Sequence, residues 1–322
     1  MPEYDARLVL HTGTVTVWDC ECPGLCRGKA AEEHSPGTRI AFPHRGVYVH
    51  SVGSKDHVAD ANQMVVTNAD EPYRVSHPVT GGDATLTLAV DPATLLEVTP
   101  AEYRSPRARP ALNRTSFHID ARTQALAAHL RQRLKRGTIG SLEAESLALH
   151  LIRHALGNNT SHGARRGNRR PEEIADQVKM LLSADPWRRW TLTTIAEEVS
   201  VTPVYLTDAF RRVEGVPLYR YHLQLRLALA LTVLAQSDDL MTLAIELGFH
   251  SHSHFSAAFK KAFGQTPSEF KRSIAGRRIA TAGDRGGNAK VIDSARVYLS
   301  RSVCDGWHEA ADMSSLPASI VA

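Results

Sequence analysis

Three cysteines, Cys20, Cys22 and Cys26, lie close together, and a fourth, Cys304, is far away. Thiolates at this spacing could hold zinc with His34 or His44 as imidazole ligands. Paired C-x2-C motifs are absent, however, so ordinary strand or loop cysteines are the preferred reading, with metal binding and redox sensing as the alternatives. His250, His252 and His254 alternate further along the chain. A metal site there needs a third or fourth convergent ligand, and none is evident, so contact with DNA or packing at a helix start is expected instead. Basic side chains recur as pairs, Arg211 with Arg212 and Lys260 with Lys261. Such pairs suit phosphate contacts, which supply affinity without sequence information; a merely solvated face is the bland alternative. A G-x-S-x-G elbow, a Walker-type glycine loop and an H-E-x-x-H helix are all missing from the sequence.

The chain as a whole has 322 residues, enough for two domains, with a net charge of +4. That mildly basic balance permits a nucleic-acid partner without establishing one. No apolar run reaches the length of a membrane helix, and Met1 to Asp5 lacks a signal-peptide core, so a cytoplasmic protein with no membrane partner is expected.

The elements that must position these residues fall into two kinds. Residues 5 to about 92 read as short strands: Thr14–Trp18, Arg39–Phe42, Val47–His50, Met64–Thr67 and Thr85–Val90, separated by turn residues. In the last of these, Leu86, Leu88 and Val90 share one face and the threonines the other. A small barrel or sandwich is expected. Asp120–Arg136 and Ser141–Leu156 read as amphipathic helices, serving either as a dimerisation arm or as a cap on the open face of the sheet. Residues 157–170 read as a flexible linker carrying Arg165, Arg166, Arg169 and Arg170, which either track phosphates or are solvated. Residues 274–322 read as a poorly ordered tail.

Between linker and tail the helical pattern repeats. Thr191 caps a helix with Leu192, Ile195, Ala196 and Val199 at helical spacing; the chain breaks at Ser200-Val201, and Thr202-Pro203 restarts it with Leu206, Ala209, Phe210 and Val213 inward. About 50 residues on, Asp239 caps a helix with Leu240, Leu243, Ala244 and Leu247 inward, Gly248 turns the chain, and Ser251 opens a helix with Phe255, Ala258, Phe259 and Phe263 inward. Each is a helix-turn-helix pattern, and two in the same order are hard to ascribe to chance. Leu218–Gln236 joins them as a continuous helix of about 27 Å, roughly matched to the ~34 Å pitch of B-DNA once helix widths are added. The outward residues expected to meet DNA are Pro203, Val204, Thr207, Asp208, Arg211 and Arg212 on the first recognition helix, and His252, Ser253, Ser256, Ala257, Lys260 and Lys261 on the second.

These residues resemble a known family. Ala196-Glu197-Glu198, Tyr205-Leu206, Phe210-Arg211-Arg212, Gly215-Val216-Pro217 and Arg226 are similar to the first half of the AraC/XylS-type DNA-binding domain. Leu243-Ala244, Leu247-Gly248-Phe249, Ser251, Ser253, Phe255, Phe259-Lys260, Phe263-Gly264, Thr266-Pro267 and Phe270 are similar to its second half. The resemblance implies a bacterial transcription factor, often an activator and often dimeric through its N-terminal domain. Two departures stand out: Asp208 where relatives often carry a basic or polar DNA-reading residue, and Ala257 where many carry arginine. An aspartate repels phosphate but accepts a hydrogen bond from cytosine N4, so the first unit either reads an unusual base or mainly positions the protein. The stretch from Asp60 to His77 resembles, more weakly, the cupin-type barrel found ahead of this domain in family members. Tyr73, Arg74 and His77 either line a pocket there or pack at its rim. The His-x-His with downstream Glu of catalytic cupins is not apparent.

The resulting expectation is an α+β chain: a cupin-like effector domain over 1–115, a helical segment over 116–156, a linker over 157–170, an AraC-type DNA-binding domain over 171–273 and a tail over 274–322. Its function is sequence-specific DNA binding in transcription regulation, with no catalytic residues, cofactor or metal. Double-stranded DNA is the expected partner, and the reading admits a small-molecule effector, RNA polymerase and a second copy of the chain. The alternatives are a cupin-type metal enzyme with a helical appendage, and an interaction protein that has lost DNA reading.

Overall fold

The computed structural model describes residues 5–25, 28, 31–105, 111–157, 169–237 and 239–275. Cys26, Cys304, Arg165, Arg166 and nearly all of the expected linker and tail lie outside these residues.

The N-terminal part is built from two antiparallel sheets. Strands β1 (Asp5–His11), β2 (Val15–Cys22), β3 (Arg39–Gly46), β6 (Gln63–Thr67), β8 (Asp83–Val90) and β9 (Ser116–His118) form a six-stranded sheet in the order β1-β2-β8-β3-β6-β9. Strands β4 (Tyr48–Val52), β5 (Lys55–Ala59) and β7 (Arg74–Ser76) form a three-stranded sheet in the order β5-β4-β7. The alternation read in Thr85–Val90 is present, but both of its faces are covered. Leu86, Leu88 and Val90 enter the main core, while Thr85 and Thr87 are buried on the other side, where the Cys20 thiol approaches Thr87 Oγ1 at 3.7 Å.

After a short helix α1 (Pro92–Val98), helices α2 (Ala121–Arg136) and α3 (Ser141–Gly157) follow, with α2 capped by Asp120 at its start and by Gly137 at its end. Their apolar stripes go into the sheet's core: Leu130, Leu134, Ala144, Ala148, Leu151 and Ile152 are buried together with Val17, Ile40, Phe42, Met64 and Leu88. Of the two roles weighed for these helices, capping the sheet describes where their apolar side chains lie.

The remaining elements are helical: α4 (Arg169–Ala184), α5 (Leu192–Glu198), α6 (Pro203–Glu214), α7 (Leu218–Val233), α8 (Leu240–Glu246), α9 (His252–Phe263) and α10 (Pro267–Ala275). Helix α4 begins two residues before the expected boundary, and α10 runs past it to bury Ile274. Helix α7 is apolar nearly all round because it serves two cores. Tyr221, Leu225, Ala228 and Leu229 join the core of the first unit with Ile174, Val178, Ile195 and Phe210. Leu227, Ala230 and Leu231 join the second with Leu243, Phe255, Phe259 and Phe270.

Helix α2 is held to β2 by charge. Asp19 accepts from Arg131 Nε at 2.6 Å, with Lys135 Nζ at 3.1 Å and His44 Nε2 at 3.5 Å. Burial alone would raise the Asp19 carboxyl; the His44 ring and the Arg131 guanidinium outweigh it and hold it well below the ordinary carboxylate range. A carboxyl depressed in the folded state contributes stability above its unfolded pKa and loses it as pH falls toward the folded value. Stability is therefore expected to fall below about pH 4. Asp19→Asn should flatten that acid limb and, by leaving Arg131 buried without its counter-ion, cost about 3 kcal/mol at neutral pH. Urea midpoints measured from neutral to acid pH check this; an unchanged pH slope in the variant would assign the acid sensitivity to other groups.

Candidate nucleic-acid interface

The first unit is α5, a turn and α6. Thr191 accepts from the Thr194 amide, and the Thr194 hydroxyl returns the contact to the Thr191 amide, a reciprocal cap that starts α5. Thr202 caps α6 by accepting from the Tyr205 amide, with Pro203 at its first position, and Gly215 ends it. The second unit repeats this plan. Asp239 caps α8, Ser251 caps α9 by accepting from the His254 amide, and Gly264 ends α9. The turns match bond for bond. In the first, Ser200 and Val201 donate to Glu197 O and Ala196 O; in the second, Gly248 and Phe249 donate to Ile245 O and Ala244 O. Ala196 and Ala244 are both buried, which lets the paired helices approach closely. The second unit carries one more residue, His250, before its recognition helix.

The turns differ in the residue at the left-handed position. Ser200 has φ 53° and Gly248 has φ 76°. A Cβ at Gly248 would lie 2.5 Å from the Trp187 carbonyl oxygen and 2.5 Å from a guanidinium nitrogen of Arg226. Arg226, from α7, donates to Pro186 O at 2.9 Å, Trp187 O at 3.1 Å, Arg188 O at 2.9 Å and Gly248 O at 3.3 Å. It thus ties the loop ahead of the first unit to the turn of the second. Sequence reading singled out Arg226 only through the family resemblance; no periodicity marks a side chain whose partners are all backbone carbonyls.

On α6, Val204, Thr207, Asp208, Arg211 and Arg212 are exposed and Pro203 is half-buried. Val204 is 80% exposed, unusual for an apolar side chain and suited to meeting a partner. On α9, Ser253, Ala257, Lys260 and Lys261 are exposed, while His252 and Ser256 are half-buried and share a 3.2 Å contact. Asp208 forms an ion pair with Arg212 one turn away. The aspartate is thus partly neutralised, and one of the basic side chains expected on phosphate is engaged within its own helix. Lys260 and Lys261 lie in the last turn of α9, where cations also favour the helix dipole.

Two histidines of the run pack together at the start of α9. His254 stacks with His250 at 5.7 Å and meets Phe249 edge-on at 5.5 Å. In the barrel, the residues weighed as pocket lining separate. Tyr73 is buried and donates to Glu33 Oε2 at 2.8 Å, Arg74 pairs with Glu32 at 2.9 Å, and His77 is buried against Asp83. Burial pushes the Glu33 carboxyl up to about 7 although Tyr73 donates to it. His44 lies beside Asp19 and His34 is exposed, while Cys26, the third cysteine of the zinc reading, lies outside the described residues. Cys22 instead meets His77 and Asp83.

A cleft lies where the barrel meets the helical domain. Its walls come from Phe42, His44 and Leu86 of the barrel, Gln124, Ala127 and Arg131 of α2, and Ala228, Leu231 and Thr232 of α7. It holds about 420 Å³ of space, its open mouth included. No helix among the described residues is long and apolar enough to cross a membrane.

A family model described as a helix-turn-helix domain matches residues 195–273. The chain is 30% identical over 95 residues to the urease operon transcriptional activator of Escherichia coli, covering 29% of this chain and 32% of that one. It is 26% identical over 160 residues to a putative AraC-like transcription regulator of Streptomyces lividans, covering 48% and 53%. Among solved structures, an AraC-type regulator from Chromobacterium violaceum is 27% identical over 34% of this chain and 97% of that one, with a TM-score of 0.31. The chain spans between a third and about half the length of these two curated relatives.

The turns generate a paired expectation. Gly248→Ala should destabilise by about 2 kcal/mol or more, because it adds left-handed strain and a backbone clash. Ser200→Gly should stabilise by about 0.5 kcal/mol, because it removes such strain at the corresponding position. Denaturant midpoints of the two variants check this, and effects of the same sign would refute the assigned turn geometry.

Proposed function

We propose that this chain, which carries an AraC-type DNA-binding domain, is a sequence-specific DNA-binding transcription regulator that meets two successive major-groove segments. The observation that carries the reading is the duplicated unit. Two capped recognition helices with matching turns are fixed at either end of α7, roughly 24 Å long, and both present exposed polar and basic side chains. Thr207 and Ser253 are of a type that meets base edges; Arg211, Lys260 and Lys261 are of a type that meets phosphate. The activity is binding rather than catalysis, in the cytoplasm where the DNA lies. The N-terminal domain modulates it through the junction cleft, whose walls belong to both domains, so that an occupant favouring one arrangement of the domains would shift DNA affinity.

The direct test is binding of the full chain to its own upstream intergenic DNA, against a scrambled duplex, across a salt series. Preference that survives rising salt, with two adjacent protected major-groove segments, is the expected result. Equal and steeply salt-sensitive binding to both duplexes would overturn specific reading. Asp208→Asn should release Arg212 to phosphate, raising affinity for the scrambled duplex and steepening the salt slope by about 1. No change would mean that Arg212 does not reach DNA.

The junction is tested separately by filling the cleft. Ala127→Phe should change the affinity for the upstream DNA while leaving the affinity of an isolated 169–275 fragment, which lacks the barrel, as the reference value. Identical DNA binding by the variant and the unaltered full chain, with both folded, would remove the cleft from the proposed mechanism.

A further inference from the structure

We infer that Cys22, His77 and Asp83 form a binding site for a single divalent metal ion of the zinc class at one end of the barrel. Their donor atoms, a thiol sulfur, an imidazole nitrogen and a carboxylate oxygen, all lie within 4.8 Å of one another. All three residues are buried, His77 to 1% exposure. Soft sulfur with borderline nitrogen and one hard oxygen suits zinc and its first-row neighbours, and does not suit magnesium or calcium, which take oxygen throughout.

The site is built by three separate stretches of chain. Cys22 ends β2 and Asp83 opens β8, directly opposite it in the antiparallel register. His77 follows β7, and residues 78–82 return the chain to β8. This convergence is tight enough to require glycine. A Cβ on Gly82 would lie 2.0 Å from the Cys22 carbonyl oxygen, and one on Gly46 would lie 1.9 Å from the Gly82 carbonyl oxygen. The backbone therefore fixes where the ligand-bearing residues stand.

A second observation points the same way. His77 Nε2 contacts Asp83 Oδ1 at 2.6 Å, and the Cys22 thiol is a polar neighbour of the same ring. The imidazole thus already faces both of the other ligand-bearing side chains, and on coordination one ring nitrogen binds the ion while the other keeps or finds a carboxylate. Ligand atoms on a tetrahedral ion stand about 3.3–3.8 Å apart at the usual bond lengths. The observed cluster reaches that spacing by side-chain adjustment, with the His77–Asp83 contact opening and its proton leaving. Three protein ligands leave the fourth position of a tetrahedral ion to a water or a small anion, and the burial of all three residues restricts access to it. The inference is independent of DNA reading and holds whether or not the helical domain binds DNA.

The test uses the full chain, stripped with chelator under reducing conditions and titrated with Co²⁺ as the probe. The expected result is one ion per chain, with a thiolate-to-cobalt charge-transfer band and the strong visible bands of a tetrahedral centre, displaced by Zn²⁺. Cys22→Ser should abolish the charge-transfer band, and Asp83→Asn should weaken binding more than tenfold. Cys20→Ser, which alters the neighbouring buried thiol on the same strand, should leave both unchanged. Far-ultraviolet circular dichroism of each variant establishes that it is folded. Absence of the band in the folded full chain would overturn the proposal, as would its survival in Cys22→Ser or its loss in Cys20→Ser.

Discussion

The relative placement of the two helix-turn-helix units depends on Arg226. A guanidinium cannot shed its charge in a protein, so a half-buried one must be satisfied by acceptors. Arg226 finds four backbone carbonyls, three in the 186–188 segment and one at Gly248. Backbone acceptors are held by the chain itself, so the arginine reads the geometry of two loops at once. Gly248 has to lack a side chain for this to work, because the space a Cβ would take is filled by the arginine and by Trp187 O. The left-handed turn of the second unit and the loop leading into the first are thus one constraint. The helices that follow these two loops, α5 and α9, thus start from a shared anchor.

A second layer of constraint joins this frame to the barrel. Tyr221 of α7 donates to Asp60 Oδ2 at 2.7 Å, and Asn62 donates to the Tyr221 carbonyl at 3.3 Å. Lys179 of α4 bridges Glu214, the last residue of α6, at 3.1 Å and Asp176 at 3.3 Å, and Gln63 of β6 also reaches Glu214 at 3.4 Å. Burial would lower the Lys179 amine, but Glu214, Asp176 and Asp60 together push it above its ordinary value, which keeps it charged. Buried ion pairs of this kind add little net stability over apolar packing, but they are strongly directional. Their position matters more than their energy here: they connect β6 and the turn that precedes it to the C-terminal end of a recognition helix. A shift in the barrel has a direct route to α6, whereas α9 is reached through α2 and α7.

The difference between what was legible in the sequence and what was not follows the range of the interactions. Caps, turns and 3.6-residue periodicity are local, and they located α2, α3, α5, α6, α8 and α9 to within about two residues. Alternation located β2 and β8, and the further strand candidates at 39–42, 47–50 and 64–67 fall on β3, β4 and β6, whereas β1 carried no pattern that was singled out. Strands β7 and β9, at three residues each, are too short to show a period and exist because a neighbour offers hydrogen bonds: β4 for the first and β6 for the second. The site residues divide in the same way. Outward positions on a helix follow from its inward ones, so Thr207, Asp208, Arg211, Ser253, Ala257 and Lys260 could be read from the pattern of buried leucines and phenylalanines. The Asp208–Arg212 pair was also within reach, since it spans four residues of one helix. The meeting of Cys22 with His77 and Asp83 was not, because the partners lie 55 and 61 positions further along the chain and only strand pairing brings them together.

The two units are copies in backbone but not in surface, and the asymmetry has a direction. In the first, Asp208 engages Arg212 and the exposed apolar Val204 stands near the helix start. In the second, Lys260 and Lys261 are exposed, with small side chains at Ser253 and Ala257. A helix that spends a basic side chain on its own aspartate gains less from the phosphate backbone, and therefore depends more on the few groups that touch bases or their methyl carbons. A helix with uncommitted lysines and small side chains approaches the backbone closely and reads fewer bases. If both helices meet DNA as proposed, the second unit would supply more of the sequence-independent affinity, and the first would supply discrimination at a small number of positions. That division would also suit the internal wiring, because Glu214 of α6 and Tyr221 of α7 join the first unit to the N-terminal sheets through Gln63 and Asp60.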